Sequence, residues 1–356
     1  MQAETGVAAV ALVALIAYAV LAGADFGGGI WDAFARGPRA ARQRDAVAHA
    51  MGPVWEANHV WLIFVVVLLF TGFPSAYAAL SVGLFVPFHL VLLGIILRGA
   101  AFVFRAYSPQ SARTVGPGRG GRRWGAVFGV ASTVTPVLLG MCLGAVSSGR
   151  LRVIDGVVSA DGPAPWLAPV SLAMGAFALA VCAYLAAVYL ANETEGELRD
   201  DFRRRALWAG TATVALSVLV LPLLHAQAPH LWRGLLSARA APVVGAGGVA
   251  ALLSGWALLR HRFRLARAAT VIQTACLLGG WGIAQYPYLI YPDVTVHAAA
   301  APAPTLRFVL WSLPFGLALL LPSLSYLFRV FKGGHLSVLD PPSAEAPRTE
   351  PVVDGG

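Results

Sequence analysis

Gly6-Val-Ala-Ala-Val-Ala-Leu-Val-Ala-Leu-Ile-Ala-Tyr-Ala-Val-Leu-Ala-Gly-Ala24 runs for 19 residues without a charge and stops against Asp25. The hydrocarbon core of a bilayer takes about 20 mainly apolar helical residues to cross, so this run is one crossing long. Within lipid every backbone N–H and C=O needs an internal partner, which leaves only helices and closed barrels. Barrel strands alternate apolar and polar residues over segments of about 10. This stretch does not alternate and is nearly twice that length, so it reads as a helix.

The rest of the chain follows suit. Of 356 residues 58% are hydrophobic and 12% charged, with a mean hydropathy of +0.71, whereas a soluble domain carries roughly 25% charged residues. Apolar runs predict about nine transmembrane helices, near 5–34, 54–72, 76–105, 124–147, 166–191, 206–226, 240–259, 268–289 and 306–331. The fold class is therefore all-α and integral to the membrane. Pro87, Pro136 and Pro222 fall inside spans, where neighbouring helices can satisfy a freed backbone group. The first run follows Met-Gln-Ala-Glu, which lacks the basic leader of a signal peptide, and is taken as a retained helix. The tail from Gly333 is rich in Pro, Gly, Ser and acids and reads as disordered over 333–356.

The net charge of +9 does not point to nucleic acid, because the charges sit in short loops between apolar runs. There they act as topology signals and as contacts with anionic membrane lipid. Of 26 Lys and Arg residues, 20 fall on one set of alternate segments and 5 on the other, with Arg98 inside a span. That bias predicts the N-terminus outside and the C-terminus in the cytoplasm. The Gly/Arg stretch Gly116–Arg123 lacks the Gly-Lys-Ser/Thr ending of a phosphate loop. Cys142, Cys182 and Cys276 lie in apolar runs without paired spacing, so no disulfide framework and no metal site is indicated.

Ionisable groups within spans cost roughly 3 kcal/mol each, and four demand a reason: Asp25, Glu56, His59 and Arg98. Given the alternating direction of the first three spans, all four fall at one depth, in the cytoplasmic half. The pattern predicts a buried ionic cluster in which Arg98 compensates one carboxylate and a second is left for proton exchange. Glu56 and His59, three apart, are expected to share a helical face and pass a proton. The plainer alternatives are a purely structural Asp25–Arg98 ion pair, a Glu56 that snorkels to the interface, and a His59 that only packs. Nothing in the spacing of the histidines selects a haem held by two of them. Gly27-Gly28-Gly29 lets another backbone come close; without the G-x-G-x-x-G spacing it does not bind a dinucleotide.

Two of these stretches resemble subunit II of the cytochrome bd-type quinol oxidases: Gly23-Ala-Asp-Phe-Gly-Gly-Gly29 and Gly52-Pro-Val-Trp-Glu-Ala-Asn-His-Val-Trp-Leu62. Phe73-Pro-Ser-Ala-Tyr-Ala and Leu97-Arg-Gly-Ala-Ala-Phe-Val-Phe-Arg105 fit the same family in order and spacing. The resemblance is specific over roughly 20–105 and rests beyond that on helix count and a Pro/Tyr-rich turn. It implies two four-helix bundles, over 1–147 and 148–289, a ninth peripheral helix within 290–332, and a haem-bearing subunit I as partner. That partner would carry haem b and haem d, oxidise quinol and reduce oxygen to water with protons from the cytoplasm. The bearer of the resemblance holds no haem; it supports subunit I, in some members binds a structural quinone, and lines a proton path. A small third subunit is a further implied partner, and the setting is a bacterial cell membrane. Carried over, Glu56 stands at a family aspartate proposed for proton intake, and Asp25, Trp55 and Asn58 match their counterparts. Glu replaces Asp, Ala57 replaces a common Gly, and His59 stands where an amide or acid is frequent. The rival readings are a proton-coupled secondary transporter, which would hold its carboxylates near the midplane with broken helices in both halves, and an inert scaffold.

Overall fold

The structure, a computed structural model, describes residues 2–106, 119–160, 162 and 164–332. Of the loop expected between the spans 76–105 and 124–147, residues 107–118 lie outside the described residues, as does the tail from Gly333, while Arg119–Arg123, expected in that loop, open a helix instead. Eleven α-helices follow in order: α1 (Ala3–Ala33), α2 (Ala40–Gly72), α3 (Pro74–Gly83), α4 (Phe85–Ala106), α5 (Arg119–Ser147), α6 (Pro169–Glu193), α7 (Gly196–Gln227), α8 (Pro229–Leu235), α9 (Ala241–Leu259), α10 (Phe263–Gln285) and α11 (Ala303–Lys332). Two hairpins interrupt them, β1 (Leu151–Ile154) with β2 (Val157–Ala160), and β3 (Tyr288–Ile290) with β4 (Val294–Thr295). Nine of the described helices have 19 residues or more, in line with nine crossings. Eight of these are apolar enough to cross a membrane on composition alone. The remaining one, α10, carries Arg264 and Arg267 in its first turns and Thr270, Gln273 and Thr274 beyond them.

The expected span 76–105 is not one helix. It breaks at Leu84, between α3 and α4. The cause is Pro87, whose ring cannot donate to the carbonyl four residues earlier and clashes with it; that residue is Gly83, the last of α3. The eighth span ends at Gln285 rather than 289, because Tyr286 precedes Pro287 and the position before proline is driven out of the helical region.

Two further breaks share one geometry. Phe73 closes α2 at φ −139°, ψ 61°, and Ala228 closes α7 at φ −139°, ψ 59°. Each is followed by a proline that opens a short helix, α3 or α8. The order long helix, proline break, short helix, long helix thus occurs twice in the chain.

The described chain divides into two compact units, 1–313 and 314–356. In the first, α1 packs on α2, α5, α6 and α10, while α6 packs on α5, α7 and α10. Successive residues of a helix point about 100° apart, and α1 uses this to approach three neighbours through three consecutive glycines. A Cβ on Gly27 would strike the Cys182 carbonyl of α6 and the methyl of Ala186. One on Gly28 would meet Met51 of α2, and one on Gly29 would strike Ser132 of α5. In the second unit the described residues, 314–332, are the rest of α11, with Phe315, Leu319 and Tyr326 exposed.

Both hairpins pack at the end of the first unit where α1 begins, over a core that includes Val7, Phe73, Leu84, Leu151 and Ile290. The β1–β2 turn is Asp155-Gly156, both at positive φ (51° and 78°), the sequence most favoured for a two-residue hairpin loop. Asp293 ties the hairpins together: it accepts from Arg152 Nε at 2.7 Å and from the Val153 N–H at 2.8 Å. The Arg152 hydrogen bond holds its carboxyl below the ordinary value of 3.8. A depressed carboxyl stabilises the fold above its ordinary pKa, and that stability fades as pH falls through the folded value. Hydrogen exchange at Val153, corrected for intrinsic rate, should therefore be slow near neutral pH and accelerate below pH 3.8; constant protection across that range would contradict the tie.

Candidate functional site

On α1, Tyr18 and Asp25 lie seven residues apart, two turns along one face, and Phe26 adjoins them. On α2 the positions 55, 58, 59 and 62 recur at helical spacing and turn Trp55, Asn58, His59 and Leu62 the same way. Ile95 and Arg98 complete the ring from α4. Together these side chains enclose a cavity of about 10 Å³, room for a single water.

Asp25 and Arg98 are 1% and 3% exposed and form a two-pronged ion pair. Arg98 Nη1 donates to Asp25 Oδ2 at 2.5 Å and Nη2 to Oδ1 at 2.6 Å. Nη2 also donates to the Asp25 carbonyl at 3.0 Å, and Nε to Ser132 Oγ at 2.9 Å. The Asn58 amide donates to Asp25 Oδ2 at 2.8 Å. The guanidinium carbon sits 5.2 Å from the centre of the Phe26 ring and 4.9 Å from that of Phe128, close enough for cation–π attraction. Two helices, α1 and α5, thus hold the arginine of a third, α4, with each of its nitrogens used, and α2 joins through the Asn58 bond to Asp25.

Two polar groups at the cavity are less committed. Tyr18 Oη is buried and has no hydrogen-bond partner among the described residues. His59 donates Nδ1–H to the Trp55 carbonyl at 2.7 Å, since a carbonyl can only accept, which leaves Nε2 available. Its ring also stands edge-on to Trp55, 5.1 Å between centres.

Glu56 is not in this cluster. It is exposed and does not line the cavity. The helical period explains the difference: with 55, 58, 59 and 62 facing inward, 56, 60, 63 and 67 face outward, and Val60, Ile63 and Val67 are likewise exposed. The expectation that Glu56 belongs to the buried ionic cluster is corrected accordingly; three residues before His59, it is a neighbour of that side chain on the helix surface but outside the cavity. Glu56 is the third residue of the apolar span Val54–Gly72, beside the polar first turns of α2. Sequence reasoning missed Tyr18, Ser132 and the buried Asp32. Asp32 lies one turn from Gly28 and Gly29 and was open to discovery as an ionisable group within the first span; lone hydroxyls in an apolar run carry no such signal.

A family model described as cytochrome bd terminal oxidase subunit II matches residues 3–331. The chain belongs to that family. The putative cytochrome bd menaquinol oxidase subunit II of Bacillus subtilis is 24% identical over 325 residues, covering 88% of this chain and 91% of that one. The cytochrome bd-I ubiquinol oxidase subunit 2 of Escherichia coli K12 is 29% identical over 210 residues, 58% of this chain and 53% of that one. The structure of bd oxidase from Geobacillus thermodenitrificans shares the fold, with a TM-score of 0.78 at 23% identity over 94% of this chain and 100% of that one. Subunit II of a cytochrome bd oxidase is part of a quinol oxidase complex, an oxidoreductase, and works beside a subunit I. The transporter reading has no counterpart among these relatives.

Proposed function

We propose that this subunit carries protons from the cytoplasmic face toward the haem-bearing subunit I, with Glu56 as the intake, His59 as the first relay and Asp25 as the inner end. The observation that carries the reading is the enclosed polar cavity, lined by Asp25, Asn58, His59 and Arg98 and by an uncommitted tyrosine hydroxyl. A carboxylate facing lipid would cost roughly 3 kcal/mol, so Glu56 at the start of its span meets water or a partner. His59 is one turn deeper, and its free Nε2 offers a site that can accept and release a proton. A water in the cavity would connect it to Tyr18 and Asp25. Arg98 holds Asp25 in place as a fixed counter-charge.

The surrounding assignments fit the same picture. The 20:5 arginine and lysine bias supports a Glu56 end in the cytoplasm of a bacterial cell and an N-terminus outside. The repeated helix–proline–helix order supports two four-helix bundles, over 1–147 and 148–289, with 290–332 supplying the ninth helix. Haem b and haem d belong to subunit I, where they supply the electron and oxygen chemistry, and the quinol pool feeds them. A cavity of about 10 Å³ admits neither a porphyrin nor the structural quinone that the resemblance allows. A small third subunit completes the assembly.

Glu56→Gln tests the path. The complex should assemble with unchanged haem absorption and consume oxygen on the order of tenfold more slowly, less than the 10²–10⁴ lost with a direct general acid or base, because water still reaches the cavity mouth. Glu56→Asp should restore turnover with a shifted pH profile. Wild-type rates and pH dependence in the Gln variant would sink the proposal.

A further inference from the structure

A second polar assembly joins the α1–α2 turn to the first turns of α7. Asp201 accepts from Arg39 Nε at 2.8 Å, from the Gln43 amide at 2.8 Å and from Arg204 at 2.7 Å. Arg205 donates one nitrogen to Gln43 Oε1 at 2.7 Å and lies over the rings of Trp31 and Phe202, 5.4 and 5.3 Å from their centres. Its other terminal nitrogen, Nη1, is buried with no acceptor among the described residues. Arg36 is exposed and makes no ion pair among the described residues. These groups and Trp208 line a pocket of about 300 Å³, at the small end of the ligand-site range. Four arginines face two carboxylates there, Asp201 and the exposed Glu197, which stands 3.6 Å from Arg39, so positive charge remains in excess.

The location narrows what could fill it. Trp208 is 76% exposed, a residue type that gathers at the boundary between lipid and water. Below it on α7, Ala212, Ala215 and Leu219 are exposed at helical spacing and make an apolar stripe directly beneath the arginines. An arginine cluster that served only as a topology signal would be spread out and solvated. Here Asp201 fixes the Arg39 and Arg204 guanidinium groups in place and Gln43 holds that of Arg205, and a buried donor without an acceptor is costly.

We propose that this pocket binds the phosphate-bearing, anionic headgroup of a membrane lipid, with its acyl chains lying along Trp208, Ala212, Ala215 and Leu219. The phosphate oxygens supply the acceptor that Arg205 lacks and the counter-charge that Arg36 lacks, and they add to the one carboxylate that Arg204 shares with Arg39. Charge-assisted contacts of this kind suit the guanidinium group.

The test uses the purified, delipidated oxidase complex, titrated with phosphatidylglycerol, phosphatidylcholine and inorganic phosphate, and followed by native mass spectrometry. Phosphatidylglycerol should bind more tightly than phosphatidylcholine. Its affinity should fall about fivefold for each arginine removed in Arg36→Gln and Arg204→Gln, both exposed positions whose loss leaves the fold intact, and should weaken as salt rises. Arg260→Gln, an exposed arginine outside the pocket, should leave the affinity unchanged. Equal phosphatidylglycerol binding by the wild type and the Arg36/Arg204 variants overturns the site. Inorganic phosphate displacing phosphatidylglycerol at equal concentration overturns its assignment to lipid.

Discussion

Asp25→Asn is expected to abolish or sharply reduce recovery of the assembled oxidase. The change leaves the Arg98 guanidinium buried at 3% exposure without its carboxylate, and removing one partner of a buried pair costs about 3–5 kcal/mol. Ser132 and the Asp25 carbonyl remain as acceptors, but neither carries charge. Removing both charges is a different matter: Asp25→Leu combined with Arg98→Met replaces the pair by apolar groups of similar size, which is often nearly neutral. The double variant should therefore recover assembly and most of the thermal stability of the complex. Its turnover then separates two roles for the same carboxylate. Slow oxygen consumption by an assembled double variant assigns Asp25 to the proton path, and normal turnover reduces it to a structural anchor. A single Asn variant that assembles and melts like the wild type would remove the pair from the stability account.

Gly27→Ala is expected to be the most damaging of three otherwise identical substitutions in adjacent positions. The new methyl would occupy the place of the Cys182 carbonyl, and backbone cannot swing aside as a side chain can, so the cost should reach or exceed the roughly 1–3 kcal/mol of ordinary overpacking. Gly28→Ala meets the Cγ of Met51 at 2.8 Å and its sulfur at 3.0 Å, flexible atoms that can move, and should cost well under half as much. Gly29→Ala should fall between them and carry a different signature. It displaces Ser132, the residue that accepts from Arg98 Nε, so it should disturb the cavity as well as the packing. Thermal melting of the three complexes ranks them; equal midpoints for Gly27→Ala and Gly28→Ala would mean that the close approach of α1 and α6 matters little.

The membrane-crossing helices were legible because lipid makes the strictest of structural demands, and long uncharged runs meet it in only one way. What stayed hidden were departures from that rule. Pro87, expected to be tolerated within a span, splits α3 from α4, and Gly83 at the break leaves room for the β1–β2 hairpin: a Cβ there would collide with Leu151. The hairpin itself carried a plain signal in Asp155-Gly156, which an eye set on apolar runs passes over. At the site, common depth along the membrane places Asp25 beside Arg98, but depth says nothing about which way a side chain turns. Glu56 shares the depth and faces outward. The 3.6-residue period counted from Trp55, Asn58 and His59 contains that distinction. Ser132 could not be foreseen, since a serine or threonine hydroxyl in an apolar helix usually satisfies itself on its own backbone, and a lone tyrosine in such a run reads as packing.

The polar character of α10 bears on how the chain reaches its final place. Thr270, Gln273 and Thr274 are buried, and Thr270 joins Ser254 of α9 at 2.6 Å, which in turn meets the Tyr184 hydroxyl of α6 at 2.7 Å. A segment that would partition poorly into oil by itself is thus held there by companions already inserted. Its residence in the bilayer is a property of the company it keeps.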